Sequence, residues 1–204
     1  MEEFSEGLRQ MAGVFLSEET LEAVLGLVVS LAVANLSRAD GVSVSLHRRG
    51  QFDTSNAVPD VLGEVDAAQY RWRAGPCVDA TDSGMVVDAI LAEEHTRWPH
   101  FVEAAQAHGF ASVLSTPLLL PNRAPGGAMN VYSHRREHFS DDEHQRAAIF
   151  AQYASVVLAN ASAYASSEHE NEQLHIALTT RERIGQAQGV LMARHGLSSD
   201  DAFA

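Results

Sequence analysis

Lysine does not occur in this 204-residue chain: all 14 basic side chains are arginine, set against 27 acidic ones, for a net charge of −13 with histidine neutral. Nucleic-acid phosphates are bound through clustered positive charge, so the average surface is excluded as such an interface. From Ser166 onward six carboxylates stand against Arg181, Arg183 and Arg194, and even the tail is not basic. A single cysteine, Cys77, excludes an internal disulfide framework and any four-cysteine metal centre within one chain. No apolar run reaches the roughly 18 residues of a membrane span, and Met1-Glu2-Glu3 lacks the basic start of a signal peptide. These absences predict a soluble cytoplasmic protein with no membrane partner. Its size and 46% hydrophobic content suit one medium-sized core with an appendage.

Proline is also missing from Asp141 to His195, where glycine occurs only at positions 185 and 189. As one helix this stretch would be roughly 80 Å long. Ser140-Asp141-Asp142-Glu143 reads as its capping box, and Gly196 as its stop. A second box, Ser198-Ser199-Asp200-Asp201, opens a further helix. Ala147, Ala151, Ala154, Leu158 and Ala161 form one apolar stripe; Phe150, Tyr153, Val157 and Tyr164 form another. One stripe can cover a sheet. The other predicts a homodimer through the long helix, unless helices from the start of the chain fill it. Ser166 to Gln173 is polar throughout, a solvated neck or hinge. Beyond it Leu174, Leu178, Ile184, Ala187, Leu191 and Met192 restore apolar spacing, and Gly185, Gly189 and Ala193 make a small-residue groove. A glycine inside a helix costs about 1 kcal/mol relative to alanine, so the groove predicts a closely packed helix, supplied after Ala204 or by another molecule.

Earlier in the chain, Glu2 to Phe15 has helical spacing, and Ser17 can cap a second helix with Leu21, Val24, Leu25, Val28, Leu31, Ala32 and Leu36 on a wide apolar face. Val42, Val44 and Leu46 alternate with Ser43, Ser45 and His47 as in a half-buried strand; Arg48-Arg49-Gly50 is a turn and Phe52 to Val58 a return strand. A weak helical period runs from Val61 to Trp72. Val86 to Ile90 reads as a buried strand, Glu93 to His108 as an amphipathic helix, and Ala111 to Leu120 and Ala128 to Tyr132 as a hairpin about Pro121 to Gly127. The expected fold is α+β: an antiparallel sheet with helices on its faces, followed by a long coiled-coil-like helix.

The run from Ala187-Gln188-Gly189-Val190-Leu191-Met192 to Ser198-Ser199-Asp200-Asp201-Ala202-Phe203 resembles the opening of an ANTAR domain, the three-helix RNA-binding module of transcription antiterminators. Gly75-Pro76-Cys77, Arg97-Trp98-Pro99 and the strand pair from Ser115 to Tyr132 resemble the GAF domains joined to ANTAR modules in actinobacterial regulators. The resemblance implies a GAF-like sensor domain over residues 1–164, a helical linker over 165–183 and a partial ANTAR domain over 184–204. It implies a signal-responsive, non-enzymatic regulator whose complete ANTAR module binds an RNA stem-loop and prevents a terminator hairpin. Most of the second ANTAR helix and all of the third would lie beyond Ala204, so no residue here is assigned an RNA contact. The competing reading is a small-molecule or redox sensor acting through protein partners.

For a small-molecule ligand in a GAF-like pocket the candidate residues are Cys77, Trp98, Phe101, Ser115, Asn130 and Tyr132, each of which also fits an ordinary core or hairpin position. No cofactor is expected. GAF relatives that reduce free methionine sulfoxide use several cysteines, and a lone Cys77 removes the simplest intramolecular cycle. Redox sensing is the remaining thiol hypothesis beside a phytochrome-like chromophore attachment, for which Gly-Pro-Cys alone is weak evidence. The Asn-Lys-x-Phe-Asp-Glu signature of cyclic-nucleotide-binding GAF domains cannot occur without lysine. His134-Arg135-Arg136-Glu137-His138 matches a zinc-protease pattern, but it falls between a strand and a helix cap, so neither metal nor catalytic residues are assigned.

Overall fold

The computed structural model describes residues 18–121 and 124–195. The expected helix at Glu2–Phe15, the hairpin tip at Asn122-Arg123, Gly196 and the second capping box lie outside the described residues. The chain divides into two compact units, Met1–Ala161 and Ser162–Ala204.

In the first unit, helix α1 (Glu18–Asn35) leads into the hairpin β1 (Gly41–Arg48) and β2 (Gln51–Val58). Helices α2 (Leu62–Trp72) and α3 (Pro76–Ser83) precede β3 (Val87–Ile90), a 3-10 turn at Leu91–Glu93, and helix α4 (Pro99–Ala107). Strands β4 (Ser112–Leu119) and β5 (Pro125–Ser133) complete the sheet before helix α5 (Asp141–His195). The strands pair antiparallel in the order β2-β1-β5-β4-β3. Close approach of β1 and β5 demands Gly127, whose φ is 136° and where a Cβ would collide with the Ser45 carbonyl.

Alternation along the strands divides the sheet into two faces. Val42, Val44, Leu46, Leu114, Leu118, Met129 and Val131 form a core with Leu21, Leu25, Val29 and Ala32 of α1 and Ala147, Ala151, Ala154 and Leu158 of α5. The other face lies under α2, α3 and α4, where Leu62, Val65, Trp98, Phe101 and Val102 pack with Val113 and Tyr132. Both faces are therefore covered, and β1 is buried on both sides rather than half-buried as its alternation suggested.

Other expectations change in detail. The helix expected over Glu93–His108 is the 3-10 turn followed by α4, because Pro99 sets the first turn of a new helix. Val86–Ile90 narrows to a partly buried edge strand, β3. On α1, Val24 and Leu31 face outward with Leu27, not onto the sheet. Helix α5 begins at the expected residue: Ser140 N and Oγ donate to Glu143 Oε2 at 2.9 and 2.8 Å, and Glu143 N donates back to Ser140 Oγ at 3.4 Å. Of its two stripes, the alanine one covers the sheet. Phe150 and Val157 are partly buried against that core, however, and the exposed stripe is Ile149, Tyr153 and Val156.

Candidate functional site

The sheet face beneath α2 and α3 is polar at its centre. Ser43 and Ser45 of β1, Ser115 of β4 and Asn130 of β5 are fully buried there, together with Asp66 and Gln69 of α2. Buried polar groups cost free energy unless paired, and these are paired with one another. Asn130 is the hub: its Nδ2 donates to Ser43 Oγ at 3.2 Å, Ser45 Oγ at 3.0 Å and Asp66 Oδ1 at 3.5 Å, while its Oδ1 accepts from Ser115 Oγ at 2.8 Å. Asp66 Oδ1 also accepts from the Tyr132 hydroxyl at 2.5 Å and from Gln69 Nε2 at 3.1 Å; Oδ2 accepts from Thr54 Oγ1 at 3.3 Å. The Tyr70 hydroxyl lies 2.7 Å from Thr54 Oγ1 and 2.5 Å from Ser45 Oγ.

Gln69 ties this network to α3. Its Oε1 accepts from the Cys77 backbone N–H at 2.8 Å, satisfying a free amide in the first helical turn. That contact explains Gly75-Pro76-Cys77: a Cβ at position 75 would collide with the Gln69 carboxamide, and Pro76 occupies the first helical position, where its missing N–H costs nothing.

The partners of Asp66 are neutral Thr54, Gln69, Asn130 and Tyr132. Burial raises its carboxyl from 3.8 to about 6, with hydrogen bonds from Ser43, Tyr132, Thr54 and Gln69 opposing the rise. At neutral pH the charged form thus costs the fold about 3 kcal/mol relative to an unfolded chain, where the group ionises freely. Burial, followed by the Asp66 charge, pushes the Cys77 thiol up to about 12 and also raises the phenols of Tyr70 and Tyr132. Cys77 is buried and packs on Ala80 and Ala128, so it is poorly suited to redox sensing, which needs an exposed thiolate.

Of the six candidate ligand residues, Ser115, Asn130 and Tyr132 meet in the polar core, and Cys77 joins through Gln69. Phe101 borders the core with its ring 6.4 Å from that of Tyr132. Trp98 lies one ring further out, its edge toward Phe101; Nε1 donates to Asp79 Oδ2 at 3.2 Å, and the Arg97 guanidinium lies over its ring. Sequence reasoning missed Asp66, Gln69, Tyr70, Thr54, Ser43 and Ser45. The usable signal was the serines at alternate positions of a strand that needs covering on both sides. An open groove of about 390 Å³ lies outside this core, between α2 and α4, lined by Ala68, Trp72, His100 and Ala104 among others; none of the six candidates lines it.

The zinc-like motif falls in the loop after β5. His134 Nδ1 is 2.8 Å from the Gly109 carbonyl oxygen, whereas His138 Nδ1 is 3.2 Å from Asp88 Oδ1, so the two imidazoles serve different elements. Among the described residues no group of three or more His, Cys, Asp or Glu side chains is placed to hold a metal ion. No described helix is long and apolar enough to cross a membrane.

Residues 18–159 match the GAF domain family, and residues 172–204 match the ANTAR domain family. No curated protein matches the chain. Similar solved structures include the GAF domain of a two-component sensor histidine kinase from Bacillus halodurans, at 13% identity and a TM-score of 0.54, covering 68% of this chain and 95% of that one. The phycoerythrobilin-bound GAF domain from a cyanobacterial phytochrome has 15% identity and a TM-score of 0.54, with 77% and 95% covered. A type II free methionine-R-sulfoxide reductase from Thermoplasma acidophilum has 14% identity and a TM-score of 0.53, with 69% and 94% covered. At such identities the likeness shows a shared fold.

Proposed function

Because the chain belongs to the GAF domain family, we propose that it is the sensor of an RNA-binding antitermination regulator, in which the polar core receives the signal and α5 carries it toward the ANTAR segment. The observation that carries this reading is the course of α5. It begins inside the GAF-matched region at Asp141, covers the apolar sheet face, and continues past the start of the ANTAR-matched region to His195. The reading takes residues 1–164 as the sensor, 165–183 as a helical linker and 184–204 as an ANTAR segment.

The proposed active form is a homodimer. Val24, Leu27 and Leu31 on α1 and Ile149, Tyr153 and Val156 on α5 form exposed apolar stripes, with Leu27 at 59% and Tyr153 at 62% exposure. Spacings of three or four residues along each helix suit helix-to-helix packing with a second copy. A small-molecule ligand at Cys77, Phe101, Ser115, Asn130 and Tyr132, with Trp98 at the margin, is part of the same reading, and the chain is proposed to have no catalytic role. Loss of the free thiol's reactivity on burial favours this over redox sensing.

RNA selection with the full-length protein tests the reading. The expected result is enrichment of RNAs that fold into paired stem-loops and lose binding when their sequence is scrambled. A selected pool that binds no better than the starting RNA overturns antitermination and favours a sensor acting through protein partners.

A further inference from the structure

Outside the polar core, the open groove of about 390 Å³ runs between α2 and α4. Two contacts fix how these helices lie. At one end the Trp72 ring is stacked on the His100 ring with centroids 3.8 Å apart, and at the other His108 Nε2 is 4.0 Å from Glu64 Oε2, so the helices are antiparallel. Between those ends the lining is Ala67 and Ala68 of α2 and Ala104 and Ala107 of α4. Side chains that short let a third helix approach closely. Trp72 is 55% exposed, although an indole is among the side chains that gain most from cover. Glu103 follows His100 by three residues and stands one helical turn from the aromatic pair. It is exposed, and among the described residues it has no ion pair or hydrogen bond.

The other tryptophan has a carboxylate and a guanidinium together. Arg97 lies 4.3 Å over the Trp98 ring, and its Nη2 is 2.6 Å from Asp79 Oδ2. Trp72 and Glu103 offer the same two surfaces, and among the described residues no guanidinium lies over Trp72. We propose that the α2–α4 groove is a docking site for an arginine-bearing helix of a partner protein, whose guanidinium stacks on Trp72 and pairs with Glu103 while its small side chains lie along the alanines. Arginine fits better than lysine, because its planar fork stacks on a ring and meets a carboxylate at once. Charge selects the same occupant. Glu64 and Glu103 stand against the one Arg71 guanidinium at the groove, and the chain's net charge of −13 steers cations toward it. The same charges repel phosphate, so neither RNA nor an anionic membrane suits this surface. The inference goes beyond the RNA reading and does not depend on it.

A display library of helical peptides, randomised along one face and selected against the full chain, is the probe. Selection is expected to enrich peptides with an arginine at one fixed position. Replacing that arginine by citrulline, its neutral isostere, should weaken binding about tenfold. Trp72→Ala should weaken it about tenfold and Glu103→Gln about threefold, with the thermal transition unmoved because both side chains are exposed. Glu103→Arg should favour a peptide with glutamate at the fixed position, a reversal that a merely structural role does not produce. In nuclear magnetic resonance spectra of the bound chain the Trp72 indole N–H signal should move, while that of Trp98, held by Asp79, stays. No enrichment, enrichment without a fixed arginine, or binding that survives Trp72→Ala overturns the proposal. A change of sedimentation on Trp72→Ala also overturns it, by assigning the groove to a second copy of the chain. RNA selection is read separately, so either conclusion can fail while the other stands.

Discussion

The two faces of the sheet are built from the same strands, one residue out of phase, and they do opposite things. Val42, Val44, Met129 and Val131 meet α1 and α5 through apolar contact, while Ser45, Asn130 and Tyr132 meet α2 through hydrogen bonds. Hydrophobic burial is large and nearly non-directional. Hydrogen bonds are weaker in net stability and strict in geometry. Both faces bury apolar side chains, but only the face beneath α2 and α3 adds a hydrogen-bonded centre whose geometry must be met as well.

The strongest way to break that contrast is to move charge across the sheet. Met129→Asp puts an unpaired carboxylate beneath α1 and α5, and a loss above about 4 kcal/mol is expected, read as absence of a cooperative thermal transition. Leu25→Ala on the same face should cost about 2–5 kcal/mol in urea unfolding. Asp66→Asn changes the pH profile instead. The folded carboxyl titrates at about 6 and the unfolded one near 3.8, so the folded state binds the proton more tightly. Native stability relative to Asp66→Asn should consequently rise as pH falls from about 6 to about 4, by about 3 kcal/mol in all. Asn130→Ala, which strips partners from Ser43, Ser45 and Ser115, should cost about 1–3 kcal/mol. At the small end, Tyr153→Asp lies outside both cores. It should leave stability within about 0.5 kcal/mol while shifting sedimentation from the proposed dimer toward monomer.

Glu143 sharpens the pH comparison from the apolar side. Burial pushes its carboxyl up, but the backbone N–H and hydroxyl of Ser140, with Arg38 and Ser37, outweigh burial and hold it below the ordinary glutamate value of 4.5. Its stabilisation is present above 4.5 and is lost as pH falls through the lowered value, opposite in sign to Asp66.

The apolar face was legible because local pattern and burial agree there: alternation in β1 and the alanine stripe of α5 each announce a side. The polar face was not. Asp66 follows Glu64 in a weakly periodic helix, which reads as a solvated surface, and only the covering of the sheet by α2 turns it inward. Helix α3 escaped notice because eight residues carry little periodic signal; Pro76 at its start and Gly84 in a left-handed conformation after its end were the available marks. Asn130, Ser115 and Tyr132 were named as ligand candidates through family resemblance, whereas the carboxylate that bonds to two of them, Asp66, was not.

Arg38, from the connection between α1 and β1, donates to the carbonyls of His138 and Glu137 at 2.6 and 3.2 Å and lies 3.8 Å from Glu143. With the Ser140 box, it fixes the rotational setting of α5 at its first turn. Within the first unit, each residue of that helix as far as Ala161 then holds a compass bearing counted from Ser140, about 100° per residue. One residue inserted between Ser140 and Ala147 would turn the alanine stripe about 100° off the sheet, whereas seven would bring its bearing back to within about 20°. What the first turn of α5 sets is a direction around its axis as much as a distance along it.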